Sequence, residues 1–232
     1  SLGLMQGNEV IGSFRLTTKT PRTSDEFGLC IKELLDMTKL QDDDIEAVII
    51  SSVVPKIMYS LTSAIVKFLH KDPIIVGPGI KTGISIRTDN PREVGADRIV
   101  DISMAYHTYH KSCIIVDFGT ATTFDYISGE GVFKYTVIAP GLGIVANALT
   151  SQTAKLPEIE IQKPESILNG NTITGMQAGV IYGYIGSVEY IIKQMKKELK
   201  LKDCLVIATG GLGKVIAKET KEIDLFDPDV AY

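Results

Sequence analysis

The first forty residues combine two hydrophobic periods. Residues 9–18, which follow the turn dipeptide Gly7-Asn8, alternate apolar and polar side chains and predict a β-strand. The apolar residues before the turn complete a predicted hairpin. Capping residues at Thr23 then begin a predicted helix. Its apolar side chains fall on one helical face: Phe27, Ile31, Leu34 and Leu35.

The next segments indicate a parallel sheet covered by helices. Residues 45–54 are a short β-branched run ended by Pro55, which is typical of a strand buried on both faces. A helical period over residues 59–69 and a strand with a turn over residues 73–79 follow. A further helix is predicted over residues 97–109, with Ile99, Ile102 and Ala105 on its apolar face.

The second half of the chain repeats the order of predicted elements seen in the first half, which also begins with a hairpin. Two apolar strands flank a polar turn within residues 112–131, which suggests a second domain. The elements predicted after it are a strand at 132–139, a helix near 143–154, a long helix at 172–199 and a strand at 204–208. We therefore expect an α/β protein of two domains, residues 1–110 and 111–232.

Composition and charge narrow the function classes. Hydrophobic residues make up 44% of the 232 residues and charged residues 22%, as in folded globular domains. The net charge of −4 argues against a positive surface for nucleic acid. The apolar runs are too short to cross a bilayer, and the first residues do not resemble a signal peptide. We expect a cytoplasmic protein that binds neither nucleic acid nor membranes.

The cysteines and histidines form no recognisable metal motif. The three cysteines lie far apart, each in an apolar run: Cys30, Cys113 and Cys204. An odd number of isolated cysteines argues against a disulfide framework or a zinc site, so we expect buried, reduced thiols. The histidines are expected on the surface or on helices: His70, His107 and His110.

The segment Val-Asp-Phe-Gly-Thr-Ala-Thr-Thr-Phe-Asp, which begins at residue 116, carries the strongest chemical signal. Asp117 ends a predicted buried strand, where its carboxylate could hold a cation beside phosphates, and Gly119 lets the chain approach them. Three threonines could offer hydroxyls and turn amides to anionic oxygens: Thr120, Thr122 and Thr123. The alternative is a solvated hairpin turn, since Gly and Thr are common in turns.

A second glycine-rich turn follows the predicted strand at 204–208. The sequence Thr-Gly-Gly at 209–211 would let the backbone pass close to a flat base or ribose. By itself this signal is weak, because many α/β proteins use Gly-Gly to lead a strand into a helix.

The two turns together resemble the superfamily of actin, sugar kinases and chaperone ATPases, in which two similar domains clamp ATP. Five further segments are similar to type III pantothenate kinases and occur in that family's order. They are Ser-Ser-Val-Val-Pro at 51–55, Val-Gly-Pro-Gly-Ile-Lys-Thr-Gly at 76–83, Asn-Pro-Arg-Glu-Val-Gly-Ala-Asp-Arg-Ile-Val at 90–100, Ile-Ala-Pro-Gly at 138–141 and Asn-Thr-Ile-Thr-Gly-Met-Gln-Ala-Gly at 171–179. The resemblance extends from about residue 15 to residue 229. It implies two ribonuclease H-like domains with mixed sheets and ATP-dependent phosphorylation of pantothenate to 4′-phosphopantothenate, the first step of coenzyme A biosynthesis.

The same resemblance assigns a pantothenate site to Gly95, Ala96, Asp97 and Arg98. Asp97 would be the catalytic base that takes the hydroxyl proton as the oxygen attacks the terminal phosphate. Arg98 would hold the pantothenate carboxylate. The alternatives are that Asp97 is the N-cap of the following helix and that Arg98 forms a local surface pair.

Other residues carried over from the family concern ATP, cations and a partner subunit. Asp117 would bind a monovalent cation, K⁺ or NH₄⁺, and Thr172 would reach pantothenate from the second subunit of a homodimer whose substrate site lies at the interface. The predicted ATP-binding residues are Gly119, Thr120, Thr122, Gly141, Gly210 and Gly211, with Gly210 and Gly211 at the adenosine. Mg²⁺ would accompany ATP.

The sequence departs from the family pattern at four places. Such kinases open with a strand whose Asp-Gly-Asn-Thr turn holds phosphates and magnesium, whereas residues 1–5 resemble the second strand, so the first strand is expected to be absent. Residues 224–229 resemble the segment before the family's final helix. Thr88, assigned to the substrate pocket, stands where relatives often have Tyr. Tyr135-Thr136 replaces Gly-Gly, and the Tyr could crowd the site.

Two other functions remain open at this point. The chain could be a regulatory or binding homologue that kept the fold without phosphoryl transfer, since some family members have carried transcription-activator labels. Direct DNA binding is disfavoured by the acidic balance. It could also be a kinase for another small hydroxylated substrate, because a fold alone does not determine the substrate.

Overall fold

The computed structural model describes residues 1–7, 9–17, 21–228 and 230. Asn8 of the predicted turn and Thr18 at the end of the predicted second strand lie outside the described residues. So do Asp229, in the segment similar to the family's C-terminal region, and the last two residues of the predicted second domain.

Strands and helices alternate along most of the chain. The strands are β1 Leu2–Gln6, β2 Glu9–Phe14, β3 Ile49–Ile50, β4 Ile74–Ile75, β5 Ser85–Ile86, β6 Cys113–Phe118, β7 Ala121–Ile127, β8 Val132–Pro140, β9 Leu205–Thr209 and β10 Leu225–Phe226. The helices are α1 Ser24–Thr38, α2 Pro55–Leu69, α3 Ala96–Tyr109, α4 Leu142–Ser151, α5 Thr172–Glu198 and α6 Gly213–Ala217, with short 3₁₀ turns at Asp42–Asp44 and Pro91–Glu93. The predicted α/β class with a mixed sheet is confirmed.

The chain divides into two compact units. Unit 1 contains Ser1–Thr82 and Asn90–Val100, and unit 2 contains Gly83–Asp89 and Asp101–Val230. The boundary between the units falls within α3, and the segment that carries β5 belongs to unit 2.

Unit 1 packs α1 and α2 over a small apolar core. Its strands form an antiparallel hairpin, β1–β2, and a parallel pair, β3–β4. The predicted hairpin and helix are confirmed, and Thr23 caps α1 through a capping box with Glu26. The core residues are Ile31, Leu35, Ile50, Ile65 and Leu69.

The predicted strand over residues 45–54 is wrong in its extent and its burial. Only Ile49 and Ile50 pair, and the Ile49 side chain is 66% exposed. Within the described residues β3 has one sheet neighbour, β4, so it is not enclosed as a central strand would be. Pro55 is the first residue of α2, where its missing N–H and fixed φ suit a helix start.

Unit 2 is built on a six-stranded mixed sheet in the order β10-β9-β6-β7-β8-β5. Strands β6, β7 and β8 form an antiparallel meander, whereas β9 runs parallel to β6 and β5 runs parallel to β8. The predicted hairpin of residues 112–131 and the predicted long helix are confirmed. One sheet face packs on α4, α5 and α6 in a core that includes Val116, Phe124, Ile181, Ile192 and Ile216.

The cysteines are free thiols, but only Cys113 is buried; Cys30 and Cys204 are partly exposed, so the prediction of three buried thiols is wrong for those two. Burial raises the pKa of Cys113 to about 12 and that of Cys204 to about 11. Among the helices of the described residues, none has both the length and the apolar composition that a membrane span requires.

Candidate functional site

Asp97 lies in the first turn of α3, in unit 1. The Gly95 carbonyl accepts the first intrahelical hydrogen bond, from Ile99 N at 3.1 Å, which makes Gly95 the N-cap. The alternative role of Asp97 as the N-cap is therefore wrong. Its side chain is exposed, and Oδ1 accepts a hydrogen bond from the backbone N–H of Arg98 at 2.9 Å.

The glycine before Asp97 leaves room for that carboxylate. A Cβ added at Gly95 would lie 2.5 Å from Asp97 Oδ1 and 3.1 Å from Val53 Cγ1. Any side chain at position 95 would thus displace the Asp97 carboxylate from its present orientation. Ala96 is only 7% exposed and packs inward, so it can offer a ligand little more than its backbone.

A second group of predicted site residues meets at one edge of the sheet in unit 2. Asp117 is in register with Thr209, the last residue of β9. Gly210 follows with φ +87°, and a Cβ there would lie 2.5 Å from Asp117 Oδ1. A Cβ at Gly119 would lie 3.4 Å from Asp117 Oδ2. The Asp117 carboxylate therefore lies between two glycine backbones, which leave it accessible to a small cation or water.

The turn between β6 and β7 rests on the start of α4. Gly141 N donates a hydrogen bond to Thr120 O at 3.1 Å. A Cβ at Gly141 would lie 2.2 Å from Thr120 O and 2.6 Å from Gly119 O. Gly141 is also the N-cap of α4, so the helix end that favours anions lies beside the exposed Gly119-Thr120 turn. This arrangement can accept phosphate oxygens.

Thr122 points to the other face of the sheet. Its side chain is fully buried, and its hydroxyl is hydrogen-bonded to the Tyr184 hydroxyl of α5. Burial is the main cause of the raised pKa of Tyr184, which stays a neutral hydrogen-bonding group. The hydroxyl of Thr122 thus contacts the helix layer, which is a structural contact that the sequence did not predict.

Three further positions belong to unit 2. Thr88 follows β5, and its hydroxyl oxygen is buried without a hydrogen-bond partner among the described residues. Thr172 is the exposed first residue of α5, after the N-cap Asn171, whose side chain accepts from Thr174 N at 3.0 Å. Tyr135 is 45% exposed and stacks on Tyr126 with ring centroids 6.4 Å apart.

The structure thus brings five predicted site residues of unit 2 together: Asp117, Gly119, Thr120, Gly141 and Gly210. The predicted pantothenate residues, Gly95–Arg98, lie in unit 1. Gly211 is the exposed residue after Gly210. The sequence did not single out Thr209, although it begins the Thr-Gly-Gly turn and is in register with Asp117. Its position depends on strand pairing, which no local signal specifies.

Comparison with known proteins identifies the family of the chain. The sequence profile described as "Type III pantothenate kinase" matches residues 1–194. A type III pantothenate kinase of Agathobacter rectalis is 50% identical over 228 residues, which cover 98% of this chain and 88% of that relative. One of Bifidobacterium longum is 48% identical over 231 residues, which cover 100% of this chain and 90% of that relative.

A solved structure supports the fold alone. A Campylobacter jejuni protein, solved under the name of a Baf family transcriptional activator, aligns with a TM-score of 0.55 and 18% identity. The alignment covers 84% of this chain and 81% of that one. The profile match and the high identity to two relatives lead to one conclusion: the chain belongs to the type III pantothenate kinase family.

Proposed function

We propose that this protein transfers the terminal phosphate of ATP to the primary hydroxyl of pantothenate and forms 4′-phosphopantothenate, the first step of coenzyme A biosynthesis. The observation that carries the proposal is the exposed Asp97 carboxylate, oriented by the Arg98 amide beside a glycine that leaves it room. Family membership supports both the reaction and its substrates.

Asp97 has the properties of a general base. Its carboxylate accepts a hydrogen bond from the Arg98 N–H, and its remaining lone pairs can accept the substrate proton. Loss of that proton makes the attacking oxygen a better nucleophile toward the terminal phosphate of ATP. Arg98 would pair with the pantothenate carboxylate, and Gly95 and Ala96 would contribute backbone contacts.

The Gly119-Thr120 turn with the start of α4 would bind the ATP phosphates. The two elements meet through Gly141, and a helix N-terminus beside an exposed turn suits anionic oxygens. Gly210 and Gly211 would lie at the adenosine. ATP brings a divalent metal, and Mg²⁺ commonly needs only one or two carboxylates besides the phosphates. Within this proposal each of the two compact units is a ribonuclease H-like domain of the actin type.

Asp117 would hold the monovalent cation, K⁺ or NH₄⁺. A carboxylate between two glycine backbones offers hard oxygen ligands without a side chain in the way. Thr88 would contact the substrate, and its buried hydroxyl, which has no hydrogen-bond partner within the described residues, suits a polar ligand. Thr122 contributes to this site indirectly, by holding β7 against α5. A cytoplasmic location goes with the proposal, because ATP and a reducing pool that keeps thiols free occur there.

The exposed face of α5 supports a homodimer. Four glycines occur on this helix, and a Cβ at any of them would meet open space: Gly175, Gly179, Gly183 and Gly186. Glycine in a helix interior costs about 0.5–1 kcal/mol relative to alanine. Internal packing does not account for this cost, whereas close approach of a second chain would. Ile173 on the same helix is 50% exposed, next to Thr172, the residue assigned to the partner's site.

Mixing two inactive variants tests the shared site. Asp97→Asn and Thr172→Ala homodimers should each be nearly inactive, while their mixture after subunit exchange should regain up to about a quarter of wild-type activity, since one of two sites in each heterodimer is intact. Failure of the mixture to recover activity, with exchange shown by differently tagged subunits, would refute the contribution of Thr172 from the partner.

A coupled assay with ATP, Mg²⁺, K⁺ and pantothenate tests the reaction itself. Asp97→Asn should lower kcat by about 10²–10⁴-fold with little change in KM or in the unfolding midpoint, because the side chain is exposed. The control is Asp36→Asn, an exposed carboxylate on α1, which should keep wild-type kcat. A wild-type protein that binds pantothenate without turnover would favour the regulatory alternative instead.

A further inference from the structure

Thr123 carries a buried hydroxyl that forms no hydrogen bond within the described part of the fold. Its Oγ1 is inaccessible to solvent and has no hydrogen-bond partner among the residues that the structure describes. Burying a hydroxyl without a partner is unfavourable, and valine of nearly the same shape would avoid that penalty. A hydroxyl at this position therefore suggests a ligand that supplies the missing interaction.

The neighbouring residue on β7, Thr122, has a hydroxyl that does form a hydrogen bond. Thr122 lies on the opposite face of β7, because successive side chains in a strand alternate. Its hydroxyl is bonded to Tyr184 in the helix layer. Thr123 lacks such a partner among the described residues, although the same strand holds both.

Strand register puts Thr123 next to Asp117. Thr123 and Asp117 are paired across the β6–β7 hairpin, and Asp117 is paired with Thr209 on its other side. Residues paired across strands point to the same sheet face, with Cβ atoms roughly 4.5–5.5 Å apart. A carboxylate and a hydroxyl at that separation can both contact a single bound ion.

We propose that Thr123 Oγ1 is a second oxygen ligand, beside the Asp117 carboxylate, for the monovalent cation. The inference rests on the proposed function for the presence of that ion, and it adds a second protein ligand to the site. A neutral hydroxyl oxygen with free lone pairs suits a singly charged cation, for which one carboxylate already balances the charge. It also gives the buried Oγ1 a partner, which the part of the chain that the structure describes does not supply.

Potassium binding to the substrate-free, full-length chain is the direct test. The thermal unfolding midpoint is measured against KCl concentration, with choline chloride holding the ionic strength constant. Thr123→Val should weaken apparent K⁺ affinity by at least about tenfold, whereas Thr123→Ser, which keeps the oxygen, should stay within about threefold of wild type. Thr136→Val, an exposed position on β8, is the matched control and should bind K⁺ as wild type does.

A double variant makes the test specific to a shared ion. If both side chains bind one cation, Asp117→Asn combined with Thr123→Val should lose no more K⁺ affinity than Asp117→Asn alone. In the coupled assay, Thr123→Val should raise the K⁺ concentration that gives half-maximal rate and keep kcat at saturating K⁺. Thr123→Ala serves the same comparison if the valine variant does not fold.

The possible results separate the inference from the proposed function. Unchanged K⁺ affinity in Thr123→Val would overturn the inference and leave the proposed function intact. A wild-type chain that phosphorylates pantothenate without any K⁺-dependent stabilisation would also overturn it, together with the cation assignment of Asp117. Absence of pantothenate turnover alongside K⁺ binding that depends on Thr123 would refute the proposed function and support the inference.

Discussion

Two glycines near the start of α4 allow a sharp test of the phosphate-binding turn. Gly141 and Gly143 are two residues apart, yet their surroundings differ. A Cβ at Gly141 would lie 2.2 Å from Thr120 O, whereas a Cβ at Gly143 would meet nothing within 4 Å. The backbone of Gly141, at φ −68° and ψ 158°, is one that alanine adopts freely. The effect of Gly141→Ala will therefore come from the contact and not from backbone strain.

The closeness of the contact with Thr120 O determines how large the effect of Gly141→Ala should be. The added methyl group would be roughly 1 Å closer to a backbone oxygen than an ordinary van der Waals contact allows, so the Gly119-Thr120 turn or the start of α4 must move. Overpacking of this kind costs about 1–3 kcal/mol. A displacement of about 1 Å in a positioning element can cost about 10²-fold in rate. We expect Gly141→Ala to lose both stability and about 10²-fold in kcat/KM for ATP.

The control substitution, Gly143→Ala, should change the stability in the opposite direction. Gly143 is within α4, where alanine is favoured over glycine by about 0.5–1 kcal/mol. Gly143→Ala should therefore be as stable as wild type or more so, with unchanged kcat/KM for ATP. Urea unfolding and the coupled assay at varied ATP measure the two quantities. If Gly141→Ala matches Gly143→Ala in both assays, the close contact between the turn and α4 does not position the ATP phosphates.

The remaining predictions concern the base, the buried hydroxyl pair and a thiol. Gly95→Ala should lower kcat at least about tenfold by displacing the Asp97 carboxylate, with pantothenate KM little changed; wild-type kcat would contradict this reasoning. Thr122→Val should reduce the free energy of unfolding by about 1–3 kcal/mol because the Tyr184 hydroxyl loses one of its buried hydrogen-bond partners, and adding Tyr184→Phe should recover part of that loss in urea unfolding. Because the pKa of Cys113 is raised to about 12, its thiol should resist DTNB at pH 8 until the chain is unfolded. The free energy of unfolding should fall as the pH rises above about 9, because the thiol ionises there in the unfolded chain and not in the folded one. Rapid labelling of this residue in the native protein would refute its burial.

Local chemistry made several features readable from the sequence. The capping box of Thr23 and Glu26, the hairpin of β6 and β7 and the N-cap at Asn171 each depend on residues a few positions apart, so the linear pattern contains their cause. The family-specific segments likewise pointed to Asp97 and to the reaction. Helix boundaries are specified less well by the sequence: the pattern predicts that Pro55 ends a strand, whereas Pro55 begins α2.

Other features depend on which strands become neighbours and in which register. Alternation along β7 shows that Thr122 and Thr123 face opposite sides, but only packing decides that Thr122 meets Tyr184 while Thr123 pairs with Asp117. The short extent of β3 has the same origin, since burial of a strand depends on its neighbours and not on its own β-branched residues.

The sequence by itself determined the α/β class, the order of elements and the family, because these follow from hydrophobic periods and from motifs that are contiguous in the chain. Only the tertiary structure decided that Asp117, Gly141 and Gly210 share one sheet edge and that Thr209 joins them. Those contacts join residues far apart in sequence. They form only when the hydrophobic core selects one strand order and one register from the many that local propensity allows.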